Sequence, residues 1–212
     1  MSREHAGDVT FSEQYNGPDA LLDAARTLSH EYGLTPVSQT TSSALTLMAR
    51  LLRPVAAVEV GTGTGTATLS LLRGMPNAGI LTSIDTNSTA QGAARDLIDL
   101  AGIRPGRLRL MSGRAEDVLG RLAPSAYDLV FLDIDPVGLE RMIEPALRLL
   151  DAHGLLVLHQ TLLSGAVADP VDRSPRTTAA RTLLSRLGDQ ERLDRVLLPI
   201  GEGLLTLQKT WQ

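Results

Sequence analysis

The feature that most constrains this chain is the glycine-rich segment Glu59-Val60-Gly61-Thr62-Gly63-Thr64-Gly65, which sits at the end of a short apolar, β-branched run over 55–60. That run reads as a buried strand. Glycines at alternate positions behind it let the backbone turn tightly and approach a ligand closely. The next residues, 64–75, have helical spacing. Strand, glycine turn and helix in that order open the α/β sheets whose ligands lie beyond the carboxyl ends of the strands.

The alternation continues down the chain. Strands are expected over 79–84, 107–111, 127–132 and 154–159, with helices over 87–101, 115–122, 139–150 and 176–187. Repeated strand–helix units predict a parallel sheet with helices on both faces. Two last strands, 192–200 and 204–209, are joined only through Gly201-Glu202-Gly203. A connection that short forces an antiparallel hairpin, because a parallel return needs a crossover. The expected fold is therefore a doubly wound, Rossmann-like, seven-stranded mixed α/β sheet ending in an antiparallel C-terminal hairpin. Two helices, over 18–32 and 42–52, precede the core and are placed to shape a substrate mouth or a dimer contact. The 212 residues fit one domain, with leading helices over 1–53 and the α/β core over 54–212.

Composition excludes several functions. The net charge of −4 gives no overall basic field for nucleic acid, and at 3% aromatics there is no base-stacking platform. No cysteine is present, which removes thiolate metal sites and a cysteine nucleophile. No apolar run is long enough to span a membrane and no signal peptide is visible, so a cytoplasmic location is expected. Lys209 is the only lysine; every other basic side chain, histidines aside, is arginine.

The ligand class follows from spacing. A dinucleotide site reads G-x-G-x-x-G, whereas this turn reads G-x-G-x-G. Glu59 at the strand end would repel a pyrophosphate and suits a cationic ligand. Asp85, closing the second strand in Ser83-Ile84-Asp85, stands where an acid takes both hydroxyls of a ribose. The plainer readings are a bare strand-to-helix turn, and Asp85 as a helix cap.

At these residues the chain resembles the class I S-adenosylmethionine-dependent methyltransferases. More narrowly, it resembles the small bacterial O-methyltransferases related to catechol and caffeoyl-CoA O-methyltransferases. Besides the glycine turn and Asp85, the likeness rests on Thr35-Pro36-Val37-Ser38, on Tyr127 through Asp135, and on Leu198 through Leu204; it spans about 24–209. The resemblance implies S-adenosyl-L-methionine as cofactor. It has Val37 contact the cofactor from the leading segment, Glu59, Gly61 and Thr62 line the methionine end, Gly63 and Gly65 bind within the same turn, and Asp85 hold the ribose hydroxyls. Ala115 falls near the adenine, and Asp133 faces both cofactor and acceptor. Ala67 stands where the family often has a serine that donates to the cofactor carboxylate; Thr66 or Thr68 would have to replace it. A homodimer built on the leading helices and a small-molecule acceptor are also implied.

The acceptor side departs from the family. Its divalent-metal ligands, an Asp after the fourth strand and an Asp-Asn pair after the fifth, become Asp133 and His159-Gln160. The lysine base becomes Pro136, and a frequent tyrosine becomes Leu139. One carboxylate and a histidine make a poor magnesium site; Asp133, Asp135 and His159 would at most suit a transition metal. His159 is then the candidate general base, since histidine titrates near neutrality, with Asp133 beside it. A strand-end histidine held by a hydrogen bond is the plainer reading. Of the other histidines, His5 falls in a terminus expected to be mobile, His30 at a helix end and His153 in a turn. The arginines Arg104, Arg107, Arg109 and Arg114, and Arg173, Arg176 and Arg181, read as solvated surface. The aperiodic stretch 165–175 is where substrate loops occur. Two functions follow: an O-methyltransferase for a small hydroxylated acceptor, phenols included, acting without the family's Mg²⁺ site, or an S-adenosylmethionine-binding protein without catalysis and with a sensor or structural role. A nicotinamide dehydrogenase is disfavoured by the glycine spacing and Glu59.

Overall fold

The structure, a computed structural model, describes residues 3–210. Its sheet has seven strands: β1 (Ala56–Val60), β2 (Ile80–Asp85), β3 (Leu108–Ser112), β4 (Tyr127–Leu132), β5 (Leu150–Leu158), β6 (Leu193–Leu198) and β7 (Leu204–Lys209). Their order is β3-β2-β1-β4-β5-β7-β6. The first five are parallel, and β7 runs antiparallel to both β5 and β6. The terminal hairpin thus forms as its short glycine-flanked turn requires, with β7 inserted against β5 and β6 left at the edge.

Eight α-helices accompany the sheet among the described residues: α1 (Arg3–Tyr15), α2 (Ala20–Glu31), α3 (Gln39–Leu52), α4 (Thr66–Gly74), α5 (Ser88–Leu100), α6 (Ala115–Leu119), α7 (Pro136–Leu149) and α8 (Pro175–Gly188). Alternation along β1 divides them. Val58 and Val60 face one core with Val118 of α6, Ile143 of α7 and Leu183 of α8. Ala57 faces the other, with Leu22 of α2, Leu45 of α3, Leu69 of α4 and Leu97 of α5. Glu59 falls on the Ala57 side by the same two-residue period. None of the described helices is long and apolar enough to cross a membrane.

Several local expectations shift. Helix α1 was not foreseen, and His5 lies within its range. Its sequence carries little apolar period. What ties it down is tertiary: the Glu13 carboxylate accepts from Ser38 Oγ at 2.8 Å and the Thr40 N–H at 3.1 Å. Helix α3 starts three residues earlier than its apolar spacing suggests, because Ser38 caps it by accepting from the Thr41 N–H. Strand β5 starts at Leu150, which pairs with Tyr127 across an irregularity in register, so His153 sits in a strand and not in a turn. The arginines are not simply solvated. Arg107 is buried and donates to the carbonyls of Leu72, Met75, Pro76 and Gly79. Arg181 donates to those of Ala166, Val167, Asp169 and Asp172, stitching the stretch after β5 onto α8.

Candidate active site

The glycine turn emerges from β1 at the centre of the sheet. The Gly61 N–H donates to Ile84 O and the Asp133 N–H to Val60 O, both at 2.8 Å, so the ladder carries Asp133 against Gly61. Gly61 has φ of 97°, and a Cβ there would run into the Asp133 carbonyl. Only glycine permits that approach. Gly65 precedes α4 without a side-chain cap, which leaves the first N–H groups of that helix open to a ligand.

Val37, Gly61, Thr62, Gly63, Ala67 and Asp133 line one small cavity of about 40 Å³. Thr66 lines it too. Its Oγ1 is shut off from solvent and has no hydrogen-bond partner. Thr68, the other candidate to replace a serine at Ala67, is engaged elsewhere: its hydroxyl donates to Glu59 Oε2 at 2.6 Å. The structure therefore leaves Thr66, not Thr68, with a free buried donor.

Residues 34–37 lie over the turn, and Ser29 and Thr64 hydroxyls meet at 2.5 Å to pin α2 to it. On the outer side of that segment, Thr35 to Val37 also border a 580 Å³ cavity closed by α1 and α2. The leading helices thus line a cavity beside the turn.

Glu59 is completely buried. A directed chain ends on it: Gln91 Nε2 donates to Thr62 Oγ1 at 3.1 Å, the Thr62 and Ser83 hydroxyls meet at 2.6 Å, and Ser83 Oγ donates to Glu59 Oε2 at 2.6 Å. Its Oε1 has no partner. Burial pushes the carboxyl up to about 8, with the charges of Asp133 and Asp85 adding to the rise against the two hydroxyl bonds. A cation brought to Oε1 would relieve that cost. Asp85 closes β2 and accepts from the Gly63 N–H at 2.9 Å and the Asn87 N–H at 2.8 Å, fixing its carboxylate beside the turn. Asn87, not Asp85, caps α5. Ala115 begins α6, just beyond the β3 residue Ser112 that pairs with Asp85, and does not line the small cavity.

At the ends of β4 and β5 a second chain runs outward. His159 Nδ1 and Asp133 Oδ1 are 2.8 Å apart, and the same oxygen accepts from Gln160 Nε2 at 2.8 Å. Gln160 Oε1 accepts from Arg176 Nη2 at 2.9 Å, and Arg176 Nε pairs with Asp135 Oδ2 at 2.8 Å. The His159 side chain is 2% exposed, and its Nε2 is buried without a partner. Gln160 holds φ of 58°, a left-handed conformation unusual outside glycine. Beyond it, a 3-10 helix (Leu163–Ala168) occupies the start of the expected substrate loop. Asp133, Asp135 and His159 do not gather as ligands, and no group of three or more His, Cys, Asp or Glu side chains among the described residues could hold a metal ion. Sequence reasoning missed Arg176 and the roles of Ser83 and Gln91, which become visible only when distant segments meet.

Comparison with known proteins agrees with this architecture. A family described as O-methyltransferase matches residues 19–210. A relative from Mycolicibacterium smegmatis, described as a candidate O-methyltransferase, is 42% identical over 197 residues, covering 93% of this chain and 94% of the relative. A solved protein from Corynebacterium glutamicum is 32% identical with a TM-score of 0.85, covering 92% of each chain. An O-methyltransferase from Streptomyces achromogenes involved in tomaymycin synthesis, solved in complex with SAM, is 25% identical with a TM-score of 0.84 over 100% of both chains. Matched by that family along nearly its whole length and by a 42% identical relative, the chain belongs to the O-methyltransferase family.

Proposed function

We propose that this protein transfers a methyl group from S-adenosylmethionine to a hydroxyl of a small molecule, without a resident Mg²⁺. The observation that carries the donor half is the cradle at Gly61: an approach too close for any Cβ, beside a buried carboxylate with one oxygen unpaired. A sulfonium cofactor with an ammonium group fits both features. Thr66 Oγ1 and the open N–H groups of α4 receive its carboxylate, Glu59 favours its positive charge, and Asp85 takes the ribose hydroxyls. Val37 and Asp133 close the cavity around it, and Ala115 lies toward the adenine.

Bound there, the cofactor supplies an electrophilic methyl on a positively charged sulfur. The chain must align an acceptor oxygen with it and remove a proton. Asp133 Oδ1 holds the Nδ1 proton of His159, which leaves Nε2 with its lone pair. With the acceptor brought to Nε2, which is buried in this structure, His159 would take the proton of its hydroxyl while the oxygen accepts the methyl group that the donor would supply, leaving the donor as a neutral thioether. Asp133 stabilises the imidazolium that results. Gln160 and Arg176 keep that carboxylate in place. Mg²⁺ has no part in this reading, since Asp133 Oδ1 already accepts two bonds and its neighbours are an imidazole and an amide. The working form is a homodimer on the leading helices, supported by the exposed Phe11, Tyr15, Leu47 and Leu51.

Calorimetry tests the donor half. S-adenosylhomocysteine is expected to bind and NAD is not; Thr66→Val is expected to weaken the former about tenfold, as loss of a hydrogen bond to a charged group does. Binding of NAD alone would overturn the reading.

A further inference from the structure

At the opposite end of the sheet from the glycine turn lies a second cavity, of 420 Å³. Its position follows from the ladder. β7 runs back along β5, so its last residue, Lys209, reaches the region where β5 begins, paired with Leu193 at the start of β6. The floor is apolar: Ile143 of α7, Leu187 of α8 and Leu193 are all buried. Four basic side chains line it, namely Arg148, Arg186, Arg192 and Lys209, against the single acid Glu144.

These cations are incompletely satisfied. Among the described residues, Arg186 Nε is closed to solvent and has no hydrogen-bond partner, and the guanidinium's one ion pair is the 3.4 Å contact of Nη1 with Glu140. A buried N–H left without an acceptor is destabilising, the more so on a charged group. Lys209 Nζ gives one of its three protons to Leu150 O at 3.0 Å. Arg148 is more committed, with Nη2 on the carbonyls of Leu119 and Leu122. Arg192 makes no ion pair among the described residues. An apolar floor, a cationic rim and an orphaned guanidinium donor together call for one kind of occupant. The volume lies within the range of small-molecule sites.

We propose that this cavity binds a small amphipathic anion, a carboxylate on an apolar body, at a site separate from that of methyl transfer. The carboxylate meets Arg186 and Lys209, where a guanidinium fork gives paired charge-assisted bonds. The body covers Ile143, Leu187 and Leu193. Neither an uncharged chain nor a bare anion satisfies both halves.

The single lysine makes the site directly observable. Reductive methylation with ¹³C-formaldehyde keeps its charge and places one side-chain reporter in the protein, at Lys209, distinct from the α-amine. Octanoate is expected to shift that resonance saturably. Octanol and acetate are expected to leave it unmoved at the same concentrations. Arg186→Gln and Arg192→Gln should each weaken octanoate about tenfold while leaving S-adenosylhomocysteine affinity unchanged; the titration of the wild-type protein stands alone if a variant fails to fold. Three results would overturn the proposal: no shift with octanoate, an equal shift with octanol, or a linear, unsaturable shift that added salt reproduces. A reporter that moves with protein concentration alone would mean that a second copy of the chain covers the cavity, which also overturns it.

Discussion

Glu59 shows how one residue carries both the fold's cost and its purpose. Its carboxyl lies among apolar strands with one oxygen bonded by two hydroxyls and the other by nothing. With its pKa raised from 4.5 to about 8, the native state holds a proton that the unfolded chain releases. The unfolded state therefore binds fewer protons between those values, and stability falls as pH rises through that window. Below about 4.5 and above about 8 the group contributes no slope. Glu59→Gln should flatten this part of the profile, so that denaturation midpoints at pH 5 and pH 7.5 move closer together than in the wild type. An unchanged pH dependence would mean that the carboxyl is already ionised in the native state. The same variant should weaken a cationic cofactor, because the amide cannot supply the negative charge.

At the scale of elements, the segment between α2 and α3 lies over the glycine turn. Residues 34–37 wall the small cavity on one side, and Thr35 to Val37 border the larger α1–α2 cavity on the other. A cavity of about 40 Å³ falls well short of the few hundred that a cofactor needs. The account predicts that cofactor binding moves this segment and then holds it. Amide exchange over 34–37 is expected to slow when S-adenosylhomocysteine is added, while α8 is unaffected; equal slowing in both would point to general stabilisation instead.

The elements differ in how far local sequence announced them. β1, the glycine turn and β2 were legible because apolar runs, glycines and acids are adjacent in sequence and act locally. The hairpin of β6 and β7 was legible because a three-residue link leaves no other geometry. Helix α1 was not, since Glu13 anchors it to residues of α3 rather than through an apolar stripe of its own. The same limit applies to the site. Gly61, Glu59 and Asp133 could be named beforehand. The chain from His159 to Arg176 could not, because Gln160 and Arg176 lie 16 residues apart and meet only once the stretch after β5 folds back onto α8.

On the scale of the whole molecule, the sheet gives each end a different task. The carboxyl ends of β1, β2, β4 and β5 gather the glycine turn, Asp85, Asp133 and His159. The opposite end gathers Lys209 and the arginine-lined cavity. The family's scaffold is retained, and the end proposed to take the acceptor holds the Asp133–His159 pair with its Gln160 and Arg176 contacts. What this pairing does is the claim on which the account depends. The decisive measurement is transfer of a radiolabelled methyl group from S-adenosylmethionine across a panel of phenolic and other hydroxylated acceptors, with EDTA and with added Mg²⁺. Transfer should proceed equally in both conditions. In His159→Ala it should fall by about 10²–10⁴-fold, the usual worth of a general base, with S-adenosylhomocysteine affinity preserved. Strict dependence on Mg²⁺, full activity in His159→Ala, or cofactor binding with no transfer to any acceptor would contradict it.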